Sequence, residues 1–255
     1  MRNLTIVIPT YNEADNLPAL ARALWDLPLP DTRLVIVDDG SPDGTGEVAE
    51  ELARERAGGL SVIHRPAKLG LGSAYITGFR AALEAGADAV GQMDADFSHS
   101  PHYLPGFLDM LELSDFVLGS RYVPGGSVDR RWGAGRKLLS AFGNAYARVI
   151  LGLTVRDATG GFRVWRRETL LGMPLDQIRS NGYVFQVEMA YVAQRLGYVA
   201  AEAPIYFEDR RIGQSKMSFR IQIEAALRVW QVLWMHHHLT PDHRRPPCGS
   251  DRRSG

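Results

Sequence analysis

The chain has a single cysteine, Cys248, in a terminal stretch with Pro246, Pro247 and Gly249, so neither an internal disulfide nor a Cys-rich zinc site can form. That points to a reducing, cytoplasmic setting. Long hydrophobic runs are also missing. No segment approaches the roughly 18 apolar residues of a membrane span, and Leu4-Thr5-Ile6-Val7-Ile8-Pro9 is too short for a signal h-region and reads as a first strand. Charge excess is absent too: Lys plus Arg, 29, equals Asp plus Glu, 29, which argues against a globally basic nucleic-acid binder. Two phosphate-binding signatures are lacking as well. Gly70-Leu71-Gly72 is followed by Tyr75 where the dinucleotide fingerprint needs a glycine, and no Gly-x-x-x-x-Gly-Lys-Ser/Thr occurs. Neither an NAD enzyme nor a P-loop ATPase fits.

What is present is a chain of 255 residues, enough for one large domain or two closely packed halves. Short β-branched runs alternate with helical periodicity through the first half. Leu4 to Ile8, Arg33 to Val37, Leu60 to Ile63, Ala89 to Met93 and Phe116 to Gly119 read as strands. Leu17, Leu20, Ala21, Leu24 and Trp25 share one helix face, and Glu47 to Arg56 and Ser73 to Ala85 supply two further helices. The pattern predicts an α/β fold with a mostly parallel sheet, its loops gathered at the carboxyl ends of the strands, where open sheets bind ligands. The second half is less regular: helices over Arg136 to Leu151 and Tyr183 to Leu196, a strand near Tyr198 to Phe207, and an amphipathic helix from Ser218 to about His237. The expected division is 1–217 as catalytic domain, 218–238 as the amphipathic helix and 239–255 as a disordered tail, with 1–100 and 101–217 as the two halves of the first.

Three strand-end loops are acidic or polar: Pro9-Thr10-Tyr11-Asn12-Glu13, Asp38-Asp39-Gly40-Ser41-Pro42-Asp43-Gly44-Thr45 and Asp94-Ala95-Asp96. In extended backbone, residues i and i+2 share a face at roughly 6–7 Å. Asp94 and Asp96 so placed repel one another unless a cation sits between them. A divalent metal with an anionic substrate resolves the conflict; a turn in which one carboxylate caps a helix over His102 to Leu113 is the simpler alternative.

Taken in order, these loops with Leu69-Gly70-Leu71-Gly72-Ser73-Ala74-Tyr75, Gly119-Ser120-Arg121-Tyr122, Thr159-Gly160-Gly161-Phe162-Arg163, Gly182-Tyr183-Val184-Phe185-Gln186 and Asp209-Arg210 to Ser215-Lys216 resemble the family 2 glycosyltransferases of GT-A fold. The match is closest to the branch of dolichol-phosphate, or polyprenol monophosphate, mannose synthases, and spans residue 5 to about 216. The resemblance implies an inverting enzyme that moves mannose from GDP-mannose to a polyprenyl phosphate, with Mg²⁺ or Mn²⁺ as cofactor. It assigns donor contacts to Pro9, Tyr11, Glu13, Val37, Asp39, Asp94, Ala95, Asp96, Arg121, Arg210 and Lys216. Asp94, Asp96 and Arg121 become the catalytic set. Family members often carry Gln two residues after the second Asp, where this chain has Ser98; Ser98 joins Asp94 and Asp96 as a candidate metal ligand, and metal preference is open. A UDP-sugar donor, glucose transfer, or a non-catalytic binding protein are the alternatives.

A phosphate acceptor is already an anion and needs no general base. It needs guanidinium forks, and Arg121, Arg136 and Ser140 are the candidates that the resemblance supplies for its phosphate. The Gly-hinged basic loop from Asp209 to Lys216 resembles one that closes over the donor. The last helix, with Trp230 and Trp234, either lies in a membrane interface or packs as core or against a second subunit. The picture is a peripheral enzyme at the cytoplasmic membrane face, with a separate membrane protein as a partner to consider. His236-His237-His238 reads as a solvated helix end, since consecutive side chains on a helix diverge by about 100°.

Overall fold

The computed structural model describes residues 3–29, 31–209 and 219–246. A seven-stranded sheet forms its centre, in the order β3-β2-β1-β4-β7-β5-β8. The first four strands, β1 (Leu4–Thr10), β2 (Thr32–Asp38), β3 (Leu60–His64) and β4 (Ala89–Gln92), are parallel, and so are β5 (Phe116–Ser120) and β8 (Ala200–Pro204) to each other. Between the two groups runs β7 (Arg163–Arg166), antiparallel to both neighbours. A parallel pair, β6 (Ser127–Val128) with β9 (Tyr206–Phe207), stands apart.

Helices cover both faces. On one side α1 (Leu17–Trp25), α2 (Thr45–Glu55) and α4 (Leu104–Leu111) bury Leu17, Leu20, Leu24, Leu52 and Phe107 against Ile6, Ile8 and Ile36. On the other, α3 (Leu71–Glu84), α6 (Arg167–Gly172) and α7 (Gly182–Arg195) meet Val7, Val35, Val37 and Val90. Alternate residues of β1 thus supply both cores, as the period of two requires. Ten consecutive residues of α7, Val184 to Ala193, are buried, because α3 lies on one side of this helix and α8 (Phe219–His236) on another.

Several expectations change. The second half hides a central strand, β7, whose four residues begin and end on arginine; alternation over so short a run resembles a loop. Arg163 is fully buried in it, and its Nε and Nη2 donate to the carbonyls of Gly160 and Ala158 at 3.0 and 2.8 Å. Burial pulls that guanidinium down to about 10. The strand expected over Tyr198 to Phe207 is two short strands, and the helix expected over His102 to Leu113 opens with a 3₁₀ turn at Pro101–Tyr103 and carries no side-chain cap. Residues 239–246 do not trail away: Leu239 is buried, Arg244 Nε donates to Leu196 O at 2.7 Å, and Arg245 N donates to Gly172 O at 3.0 Å. His236 is likewise no solvated helix end. It is 2 % exposed and bonds Glu188 Oε1 through Nε2 at 2.8 Å, because its face of α8 turns toward α7 while His237 and His238 face out. Among the described residues no helix is long and apolar enough to cross a membrane.

Candidate active site

The site lies at the carboxyl ends of β1, β2, β4 and β5. Loops 11–14 and 38–45 are stitched together first. The backbone N–H groups of Asn12, Glu13 and Ala14 donate to Ser41 Oγ, Thr45 Oγ1 and Asp43 Oδ2 at 3.1, 2.9 and 3.1 Å. Asp38 accepts from Thr10 Oγ1 and Ser41 N, both at 3.0 Å. Burial pushes the Asp43 carboxyl up, but bonds from Thr45 and Ala14 outweigh it and hold Asp43 below the ordinary range. Two of the three carboxylates in the Asp-Asp-Gly-Ser-Pro-Asp run are therefore scaffold.

Asp39, the third, is 5 % exposed and pairs with Arg65, whose Nη1 and Nη2 also donate to Ser73 Oγ and Gly70 O at 2.7 and 3.0 Å. This pair fastens the Leu69–Gly72 turn to the end of β2. Gly72 has to be glycine there: a Cβ would lie 2.3 Å from Ser180 O, and its N–H donates to Asn181 Oδ1 at 3.2 Å. Of the other donor candidates, Tyr11 lies under Lys68 Nζ, 3.9 Å from the ring centre, and Glu13 Oε2 accepts from Asn16 Nδ2 at 2.8 Å. Pro9 is half-buried, and Val37 and Ala95 are buried.

Asp94 and Asp96 sit just past β4, which ends at Gln92, so a loop rather than a strand aims them. Phe97 takes a left-handed φ of 59°, uncommon for a bulky residue, and this turn lets Ser98 N donate to Asp96 Oδ1 at 3.0 Å. Tyr75 OH donates to Asp94 Oδ1 at 2.8 Å. Burial, with Asp94 beside it, pushes that phenol well up, so it stays a donor. The pocket is lined by Leu71, Asp94, Ser98, His99, Arg121, Thr159, Gly160, Gly161, Gly182, Tyr183, Gln186 and Phe207.

Arg121 enters the pocket with its fork already held. Its Nε and Nη2 donate to Asp157 Oδ2 and Oδ1 at 2.7 Å each, and Nη2 reaches Thr159 Oγ1 at 2.8 Å. Burial would lower the Arg121 guanidinium, but Asp157 more than reverses that; burial would raise Asp157, and Arg121 holds it low. Ser140 Oγ lies 2.8 Å from the hydroxyl of Tyr122, next to Arg121 in the chain. Arg136 stacks 3.8 Å above the Trp132 ring and pairs with Asp209 at 3.0 Å. The three acceptor candidates thus gather around the β5 end and the first turns of α5 (Ala134–Leu151).

A family model described as Glycosyl transferase family 2 matches residues 5–171. The chain belongs to that family. It is 47% identical over 229 residues to the undecaprenyl-phosphate mannosyltransferase of Micrococcus luteus, covering 90% of this chain and 93% of the relative. To the polyprenol monophosphomannose synthase of Mycolicibacterium smegmatis it is 43% identical over 225 residues, 88% and 84% of the two chains. Among solved structures, glucosyl-3-phosphoglycerate synthase from Mycobacterium tuberculosis, in complex with Mn²⁺, UDP and glucosyl-3-phosphoglycerate, superposes with a TM-score of 0.64. That match has 20% identity and covers 92% of this chain and 80% of that one. The GT-A fold expected from the motifs is the fold observed.

Arg210 and Lys216 lie outside the described residues. Sequence reasoning did not single out Asp157, His99 or Gln186. Asp157 sits two residues before a quoted motif with no neighbouring signal. His99 follows Ser98 directly, and its buried ring stacks on Phe162 at 5.2 Å and meets Phe207 edge-on at 5.3 Å. Burial pushes its pKa down, against the pull of Asp94 and Asp96, and favours a neutral imidazole. Gln186 closed a quoted motif without being given a role.

Proposed function

We propose that this glycosyltransferase moves mannose from GDP-mannose to a polyprenyl phosphate, releasing GDP with inversion at the anomeric carbon. The observation that carries the reading is the pocket itself, where the Asp94 carboxylate, the Ser98 hydroxyl and the held Arg121 guanidinium line the same space. Identity of 43–47% to the two mannosyl-transferring relatives supports the sugar and the lipid phosphate.

Asp94 and Asp96, with Ser98, would hold a divalent cation, Mg²⁺ or Mn²⁺. The donor set fits in its chemistry: all three residues offer oxygen, the ligand atom that hard divalent cations take. Mg²⁺ is ordinarily held in this way, by one or two carboxylates plus substrate phosphates. When bound, the ion supplies positive charge for the diphosphate. The chain's own groups do the rest. Tyr75 orients Asp94. Arg121, Arg136 and Ser140 hold the acceptor phosphate, one oxygen of which bonds to the anomeric carbon while the bond from that carbon to the GDP oxygen breaks. Because the attacking oxygen is already anionic, no side chain need take a proton. Pro9, Tyr11, Glu13, Val37 and Asp39 belong to the nucleoside side, and Arg210 and Lys216 to the diphosphate.

The lipid tail has an apolar path. Leu138 and Phe142 on α5 are exposed, and so are Leu227, Trp230 and Trp234 on α8, which packs beside it. Trp230 Nε1 donates to Tyr146 OH at 2.9 Å and ties the two helices together. Helix α8 is thus both core, through Val229, Val232 and His236, and candidate membrane contact at the cytoplasmic face.

The test is transfer of labelled mannose from GDP-mannose to a short polyprenyl phosphate in detergent, with Mn²⁺, with Mg²⁺ and with EDTA. Labelled lipid should form only with metal, and Asp96→Ala should lower turnover about a thousand-fold. Lipid labelled from UDP-glucose but not from GDP-mannose would replace the donor. GDP binding with no transfer from either would make this a binding protein.

A further inference from the structure

Behind Asp94 runs a buried row of three side chains: Trp165 on β7, Gln92 at the end of β4 and Gln186 on α7, exposed by 0, 0 and 2 %. Trp165 Nε1 donates to Gln92 Oε1 at 3.0 Å, and Gln92 Nε2 donates to Gln186 Oε1 at 2.7 Å. An amide's oxygen and nitrogen are interchangeable in shape, but an indole N–H can only donate. Gln92 must therefore turn its oxygen to Trp165 and its NH₂ to Gln186, which must accept with its oxygen. That leaves the Gln186 NH₂ aimed onward into the pocket. A Cβ on Gly161 would lie 3.3 Å from Gln186 Nε2, 3.6 Å from His99 Cε1 and 3.7 Å from Asp94 Oδ2, so the missing side chain at 161 keeps this corner open.

We infer that Gln186 reads the transferred sugar: a neutral N–H donor of fixed polarity that bonds one hydroxyl oxygen of the hexose beside Asp94. This rests on the sugar-nucleotide reading of the pocket. A hydroxyl suits the position better than a phosphate, since the corner holds an amide and a carboxylate while the pocket's guanidinium, Arg121, is anchored at Asp157 and Thr159. Gln92 touches no substrate and acts as a positioning residue. Without it, Gln186 is free to flip its oxygen toward the sugar.

The experiment uses GDP-mannose analogues that each lack one sugar hydroxyl, with the wild type, Gln186→Leu and Gln92→Met, and GDP affinity by calorimetry alongside. The wild type should lose about ten-fold in kcat/KM on the analogue whose missing hydroxyl Gln186 reads. In Gln186→Leu that penalty should vanish while the penalties at other positions persist, and in Gln92→Met it should shrink with GDP affinity intact. Each penalty is a ratio within one variant, so a general loss of folded enzyme cancels. Unchanged penalties in Gln186→Leu, or an effect confined to KM for the polyprenyl phosphate, would overturn the inference. If Gln186→Leu cannot bind GDP, Gln92→Met decides, and unchanged penalties there overturn it equally. A wild type that ignores GDP-mannose sinks the donor assignment instead, and the deoxy series of the UDP-sugar it does use then carries the same test.

Discussion

Two buried guanidinium–carboxylate pairs, one before β4 in the chain and one after it, are built alike and differ in what else they hold. Arg65–Asp39 has both side chains 7% exposed, and its arginine also serves Ser73 Oγ and Gly70 O. Arg121–Asp157 is 9% and 0% exposed, and beyond the carboxylate its Nη2 donates, among the described residues, to Thr159 Oγ1 alone. In the first pair the arginine is the brace and the acid belongs to the loop proposed for the donor. In the second the acid is the brace and the arginine faces the pocket. A buried pair is weak evidence of net stabilisation, yet losing one member leaves an uncompensated charge. What such a pair secures here is the orientation of the member that its partner braces.

Removal of the braces separates the two. Asp157→Ala leaves Arg121 buried with one hydroxyl acceptor, and should cost about 3–5 kcal/mol in denaturant unfolding. Transfer should fail mainly through a raised KM for the lipid phosphate. Asp39→Ala strands Arg65 with two acceptors still in place, so its cost should fall at the low end, about 3 kcal/mol. There the KM for the sugar nucleotide should rise instead. Equal effects on both substrates in both variants would mean that the pairs only hold the fold.

Protonation offers a gentler break. Asp157 has a folded pKa held below its ordinary value by Arg121, against the opposing effect of burial. Its contribution is therefore complete above about pH 4, the usual aspartate value, and is lost as pH falls through the depressed one. Asp157→Asn should be less stable than the wild type by about 2 kcal/mol at pH 7. The two stabilities should converge in acid, as read by urea unfolding across pH. Glu188 has the same sign: burial raises it, but bonds from His236 and Ser180 hold it low, so the Asp157→Asn variant should itself still lose stability in acid.

The two pairs also mark where the sequence is legible. Asp39 and Arg121 stand in runs whose order along the chain carries the family resemblance, and the structure brings the Arg121 and Asp94–Asp96 runs to one pocket. Their partners stand 26 and 36 residues away, with no local pattern to join them. The same limit explains β7. Parallel strands alternating with helices announce themselves by period, whereas a four-residue antiparallel strand inserted between β4 and β5 is specified by its neighbours. His236 shows it again, since only the direction of α8 against α7 decides which of three adjacent histidines is buried. Asp38 and Asp43 are the reverse case: acids visible in a motif whose work, hydrogen bonding between loops, only the folded chain displays.

A third pair sets the lower bound. Arg136–Asp209 is 37% and 29% exposed, so solvent screens it and its worth falls in the range of about 0–1 kcal/mol. The Trp132 ring, 3.8 Å from the Arg136 guanidinium, supports the side chain without neutralising it. Arg136 is thus the least committed of these three arginines, and an incoming phosphate can exchange with Asp209 more readily than with Asp157. Arg136→Ala should change the unfolding free energy by less than about 1 kcal/mol while raising KM for the polyprenyl phosphate roughly ten-fold. Asp209→Asn should move that KM the other way, because it frees the same fork. If both variants left the lipid KM untouched, acceptor capture would rest on Arg121 and Ser140, and the exposed pair would be surface charge alone.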